Sequence, residues 1–335
     1  MAWDPVISVA GLLVGVVVGL TGMGGGALMT PVLIVLFGVT PLAAVSSDVV
    51  ASFFMKPIGG LVHLRRGTVH LRMVAWLSLG SVPAAFIGVL LLRVTGSHGV
   101  LQRNLPMVLG VVLLMAAAAT TLKAYLKLRA RALARQGDAV LPPGEPEGTV
   151  PVRRAATVAV GALGGLMVGL TSVGAGSVMM VCLLFLYPTL KVGQLVGTDL
   201  VQAVPLVGAA AIGHVFLGDF RLGLTTSILI GAIPGVWLGA RVSSRSSGVL
   251  VRRALAVVML ASGVKLLGLP TGWVLAVAGT AIVGGSAGWA WLRTRNGEKP
   301  FVWQQRRKQR AAAVVLDAVG SVSAAGGVAR GQSER

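Results

Sequence analysis

The sequence predicts an all-α polytopic membrane protein: two inverted five-helix repeats plus a final helix, with short helices broken by glycine. Three observations carry that prediction. Long stretches lack any charge, a series of motifs recurs at a fixed offset, and the basic residues fall almost entirely between alternate apolar segments.

The chain has 335 residues, of which 55% are hydrophobic and only 12% charged. Its mean hydropathy is +0.85. A soluble domain needs a polar exterior that this composition cannot supply. No Asp, Glu, Lys or Arg occurs over 5–47, 155–190 or 266–292. A hydrocarbon core of ~30 Å takes roughly 20 apolar residues as a helix. A soluble enzyme and a nucleic-acid binder are therefore excluded, despite a formal net charge of +19.

Apolar runs read against Gly, Pro and charge breakers give the candidate segments in order. The first half contains 6–21, 25–38, 43–64, 72–93 and 104–122; the second contains 155–171, 175–190, 196–217, 222–241 and 251–267, followed by 272–292. The MAWDP start has no basic region before its apolar stretch, so 6–21 reads as a first membrane segment and not a cleaved leader. Segments 25–38 and 175–190 are short for full spans and suit half-helices or re-entrant arms.

The halves repeat one another. At an offset of 150, Gly11, Gly15, Gly19, Leu20, Thr21, Gly24, Gly26 and Met29 match Gly161, Gly165, Gly169, Leu170, Thr171, Gly174, Gly176 and Met179. One inserted residue shifts the offset to 151, where Asp48, His63, Gly67, Gly80, Pro83 and Gly88 match Asp199, His214, Gly218, Gly231, Pro234 and Gly239. Five segments per repeat turn the second repeat upside down relative to the first, a common transporter construction.

Basic residues set the orientation. With the N-terminus outside, Arg65, Arg66 and Arg72, the cluster Lys123–Arg154, Lys191, the group Arg241–Arg253 and the tail after Leu292 all fall inside. Only Arg93, Arg103 and Arg221 fall outside, while Lys56 and Lys265 lie within segments. This bias places both the linker and the C-terminus in the cytoplasm. The expected organisation is a first repeat over 1–122, a cytoplasmic linker over 123–154 and a second repeat over 155–268. A final helix follows at 269–292, then a basic, disordered cytoplasmic tail at 293–335.

The first chemical signal is GLTGMGGG at 19–26, echoed by GLTSVGAG at 169–176. Its Gly22-x-Gly24 spacing imitates a dinucleotide fingerprint, but a long uncharged helix stands where that fingerprint needs a strand. Close helix packing explains the Gly11, Gly15 and Gly19 stripe. The cluster Gly22, Gly24, Gly25 and Gly26 instead breaks the helix, as do Gly174 and Gly176 in the second half. A break in a membrane segment leaves free backbone N–H groups and a positive helix end, which suits an anion. Thr21, Thr171 and Ser172 would add hydroxyls, and these nine residues form the expected substrate-binding set.

The second signal is Ser47-Asp48 with its mate Thr198-Asp199. An Asp inside the membrane costs roughly 2.5–3.5 kcal/mol on insertion scales. Two readings stand: a proton- or cation-coupling site, or helix caps near the interface. Lys56, eight residues on, lies on the same face and suits anion attraction or pairing with a carboxylate; its mate is Val207. Gln202 is a polar neighbour on that face of the second repeat. His63 and His214 sit at segment ends, where packing or proton relay would use them. The single cysteine, Cys182, excludes a disulfide, and the scattered His and few acids offer no metal centre. No cofactor is expected, and no Walker motif is present.

These motifs resemble the TauE/SafE sulfite exporter family, also called the toluene sulfonate uptake permease family. Besides the two glycine-rich hairpins, the resemblance rests on VHLRRGTVHLR at 62–72 with GHVFLGDFRL at 213–222, and LGSVPAAFIG at 79–88 with IGAIPGVWLG at 230–239. It covers about 8–292 and both repeats. The resemblance implies a transporter of sulfite, sulfonates or related sulfur-containing or organic anions across the bacterial cytoplasmic membrane. Proton coupling is the default expectation. The alternatives are a membrane-embedded enzyme or an anion channel. The expected partners are the bilayer and a small anion, with no nucleic acid, and a homo-oligomer is left open.

Overall fold

A computed structural model describes residues 3–21, 25–65, 67–94, 104–136, 151–188, 190, 192–243 and 249–295. Among them every regular element is helical. The order is α1 Pro5–Thr21, α2 Gly26–Val35, α3 Pro41–Arg65, α4 Leu71–Val94, α5 Leu105–Gln136 and α6 Arg154–Thr171. A π-helical turn, Ala175–Met179, then runs into α7 Met180–Leu186, followed by α8 Val192–Leu217, α9 Leu222–Ser243, α10 Val249–Leu266 and α11 Thr271–Arg295. Each apolar segment of the sequence has its helix.

The boundaries differ where local chemistry extends a helix. Proline at a first helical position costs no hydrogen bond and presets φ, so α3 begins at Pro41 and not at 43. α8 likewise begins at Val192, ahead of 196. Asp48 and Asp199 therefore lie two turns inside their helices, which removes the helix-cap alternative. The basic opening of the linker continues α5 as far as Gln136. At the other extreme α2 stops at Val35, and Gly38 takes the left-handed φ of 63° that turns the chain into α3.

Among the described residues six helices are long and apolar enough to cross a membrane: α4, α5 over its first 22 residues, α6, α8, α9 and α11. α1, α2 and α7 are apolar but shorter. Large apolar side chains cover the outside, among them Leu13, Phe86, Ile87, Phe216, Trp237 and Leu238. Such a surface is a liability in water and the natural one in lipid. Arg154 and Arg241 stack on Trp76 and Trp237 near helix ends, with the Arg241 guanidinium 3.6 Å from its ring centre. Outside the helices, Arg221 pairs with Asp219 at 2.9 Å, and that hydrogen bond raises the guanidinium pKa above its ordinary value.

The halves interlock. α1 packs chiefly on α9, and α6 on α4, so each repeat's first helix lies against the other's fourth. Glycine permits both approaches. A Cβ added at Gly11 would lie 2.7 Å from the Ile228 carbonyl oxygen, and one at Gly15 would lie 2.5 Å from that of Ala232. Their mates Gly161 and Gly165 meet the Leu77 and Ser81 carbonyls in the same manner, and Gly231 and Gly80 return the contact on Ser8 and Val158. α5 meets α10 through Gly110 and Gly263 facing one another. At the centre α3 packs on α8 in antiparallel register: Ser46 beside His214, Phe53 beside Gly208, Gly60 beside Leu200. The repeat relates one contact to another: Gly11 on Ile228 has its equivalent in Gly161 on Leu77, and Ser46 beside His214 has its equivalent in Gly197 beside His63.

Candidate functional site

The two helix breaks converge on Asp48. α6 ends at Thr171, and Ser172 takes a left-handed conformation with φ 61°, the sole positive φ among described non-glycine residues. Gly174, at φ 124°, then turns the chain into the π turn. Ser172 Oγ donates to Asp48 Oδ2 at 2.9 Å, and Thr30 Oγ1, from α2, donates to the same oxygen at 2.7 Å. Gly26, the first residue of α2, sits directly on Ser172: any Cβ there would collide with the Ser172 carbonyl. α2, α3 and the α6 break thus meet at a single carboxylate, fully buried at 0% exposure.

The carboxylate is only half satisfied. Among the described residues Asp48 Oδ1 has no hydrogen-bond partner, and neither have the buried hydroxyls of Ser47 and Ser52. Buried polar atoms without partners are rare in native structures and call for an explanation. Ser52 lies one turn beyond Asp48 on the same face. Its Oγ is 3.7 Å from where a Gly25 Cβ would stand, so this free hydroxyl faces the N-terminal end of α2.

The second carboxylate is placed differently. In the α3–α8 register Asp199 lies level with the Gly60 end of α3, roughly 20 Å along the helix from Asp48 at 1.5 Å per residue. The charges of Lys123, from α5, and Lys56 act on it. Along α3 Lys56 lies between the levels of the two acids, and both carboxylates act on its charge. Asp199 Oδ1 and Gln202 Oε1 are also buried without partners among the described residues, while the Gln202 amide donates to Ser81 on α4.

The remaining residues expected from the sequence divide by location. Gly25, Gly26 and Ser172 gather around Asp48. Thr171 turns back on its own helix, donating to the Met167 carbonyl at 2.6 Å. Gly176 lies within the π turn and Thr21 ends α1. Thr198 accepts the His70 N–H at 3.0 Å ahead of α4. Gly22 and Gly24 lie outside the described residues. His214 is fully buried, bonded to Ser46 Oγ at 3.0 Å and to the Gly169 carbonyl at 2.9 Å. His63 pairs with Thr68 at 3.0 Å.

Sequence reasoning passed over Thr30 and Ser52. Thr30 is the one hydroxyl of the apolar α2 and precedes Pro31, which cannot donate a helical hydrogen bond, whereas Ser52 follows the more conspicuous Ser46, Ser47 and Asp48 on α3. No group of three or more His, Cys, Asp or Glu among the described residues is arranged to hold a metal.

Comparison with known proteins follows the same boundaries. The family described as "Sulfite exporter TauE/SafE" matches over residues 7–266. The chain is 36% identical over 262 residues to "Probable membrane transporter protein YjnA" of Bacillus subtilis (strain 168), covering 78% of this chain and 98% of that protein. It is 23% identical over 276 residues to "Probable membrane transporter protein YunE" of the same organism, covering 78% of this chain and 96% of that protein. No solved structure matches the chain. The chain belongs to the TauE/SafE sulfite exporter family of membrane transporters.

Proposed function

We propose, with that membership as premise, that the chain is a secondary transporter moving a small anion, sulfite or a related sulfur-containing or organic anion, with proton coupling. The anion sits between the two glycine breaks, held by backbone N–H groups of the broken ends and by nearby hydroxyls. The contact of Ser172 with Gly26 and Asp48 carries this reading, because it joins both breaks at one buried point. Helix ends supply partial positive charge without the cost of burying a full cation in hydrocarbon. Asp48 and Asp199 are the coupling carboxylates, with Lys56 between them.

The repeats are inverted, with the N-terminus outside and the C-terminus in the cytoplasm. The units run as 1–122, 123–154, 155–268, 269–292 and 293–335. Purified protein in liposomes, assayed for flux of sulfite, thiosulfate and sulfonates under an imposed pH gradient, tests the function. Flux that responds to the gradient is the expected result. Flux indifferent to it points to a channel, and chemical conversion without flux points to a membrane enzyme.

A further inference from the structure

We infer that the site takes its anion in a singly protonated form, with the ligand's own O–H donating to Asp48 Oδ1. This rests on the reading that the anion lies between the two breaks. The argument is an inventory of donors and acceptors. Thr30 and Ser172 both spend their hydroxyl protons on Asp48 Oδ2, leaving Oδ1, fully buried, an acceptor without a donor among the described residues. Ser52, 3% exposed and one turn further along α3, retains an unspent O–H. The start of α2 behind it offers N–H groups. An ionised carboxylate only accepts, whereas a hydroxyl and an amide can donate.

A ligand that satisfies all of these groups presents one donor and several acceptor oxygens. The monoanion of a weak polyprotic oxyacid does so. Its dianion would set a bare oxygen against Oδ1. A strong-acid monoanion without an O–H would leave Oδ1 unpaired, at the full cost of a buried unsatisfied group. Ligand class is therefore set by the proton the ligand carries and not by its central atom.

The titratable and charged groups around Asp48 are few. Lys56 on α3 reaches it electrostatically. α8, packed on α3, carries Asp199 and His214. Lys123 of α5 acts on Asp199. α2 has no titratable group, and α9 has Arg241, stacked on Trp237 at its far end.

The test is calorimetric titration of the full-length protein in detergent with sulfite and with methanesulfinate, which puts a methyl group where hydrogensulfite has its O–H. At acid pH sulfite should bind at least about tenfold tighter than methanesulfinate. Its affinity should fall by about tenfold per pH unit above the ligand's second ionisation. Asp48→Asn, whose amide donates as well as accepts, should close the gap between the ligands and flatten the slope. Ser52→Ala should weaken both ligands alike while keeping the gap, a check that stands even if the Asp48 variant fails to fold. Equal affinity of the wild type for both ligands, or an unchanged slope in Asp48→Asn, overturns the inference while leaving the anion site in place. Binding of neither ligand at any pH overturns the site itself.

Discussion

Ser172 and Asp48 stand 124 positions apart and belong to opposite repeats, yet their side chains meet at 2.9 Å in the buried interior. A hydrogen bond to a charged group contributes about 1.5–3 kcal/mol, more than a neutral one. The bond therefore ties the second repeat's break to the middle of the first repeat's third helix.

Breaking that tie should be measurable. Thr30→Val keeps the shape of the side chain and removes its O–H, and it should cost about 1.5–3 kcal/mol in unfolding experiments in detergent. Ser172→Gly removes the hydroxyl but suits the φ of 61°. Ser172→Ala removes the same hydroxyl and keeps the strain, so it should be the less stable of the two by about 1 kcal/mol. Equal stability of all three with the wild type would mean that these bonds hold nothing.

Glycines that admit a neighbouring backbone should differ sharply from those facing open space. Gly231→Ala and Gly80→Ala force a methyl group onto the Ser8 and Val158 carbonyls and should abolish stable protein in detergent. Gly284→Ala on α11 meets nothing within 4 Å and should be neutral or stabilising by up to about 1 kcal/mol. Thermal unfolding of the three variants, compared under one detergent, settles the contrast.

Binding should separate the break from the packing stripe. Gly25→Val adds bulk beside Ser52 and Met55 at the proposed anion site, and should abolish sulfite affinity with a modest loss of stability. Gly11→Val intrudes on α9 far from that site, so any surviving protein should bind normally. Affinity losses that merely track stability in both variants would reduce Gly25 to a packing element.

The two carboxylates should not be equivalent in transport. Asp48→Asn should flatten the pH dependence of flux because it alters the carboxylate at the substrate. Asp199→Asn, which leaves Lys56 and Lys123 without that acid, should lower the maximal rate more than the apparent affinity. Proteoliposome flux across a pH series measures both. An unchanged pH profile in both variants would exclude these acids from coupling.

Orientation is open to direct labelling. In a variant with Cys182 replaced, cysteines at Leu222 or Gly272 should react with an impermeant thiol reagent added to intact cells. Cysteines at Arg65 or Pro151 should stay silent until the membrane is permeabilised. The opposite pattern would reverse the topology.

The helices were legible because charge-free runs and glycine or proline breakers mark their ends. The repeat was legible because rare types such as His63 with His214 recur in order. Helix starts were less so: Pro41 and Val192 begin helices upstream of the apolar runs, and this alone turned Asp48 from a possible cap into an interior residue. The meeting of Thr30, Ser172 and Asp48 was not legible, since no pattern along one helix reports which helix lies opposite. Nor was the unequal setting of the two acids, because the duplication that makes them look alike does not extend to their partners. Thr30 corresponds to Met180, and Ser172 to Gly22, so Asp199 inherits neither hydroxyl.

The exchange of first helices between the halves has a consequence for biogenesis. α1 finds the backbone it fits only when α9 emerges, more than 200 residues later in synthesis. Until then the glycine stripe of α1 lacks the carbonyls it packs against in the folded protein, although α2 and α3 of the first half can already meet. Assembly is therefore a late, concerted event in which both halves are completed together. A nonsense mutation between α8 and α9 would leave a truncated chain whose α1 lacks the helix it packs on.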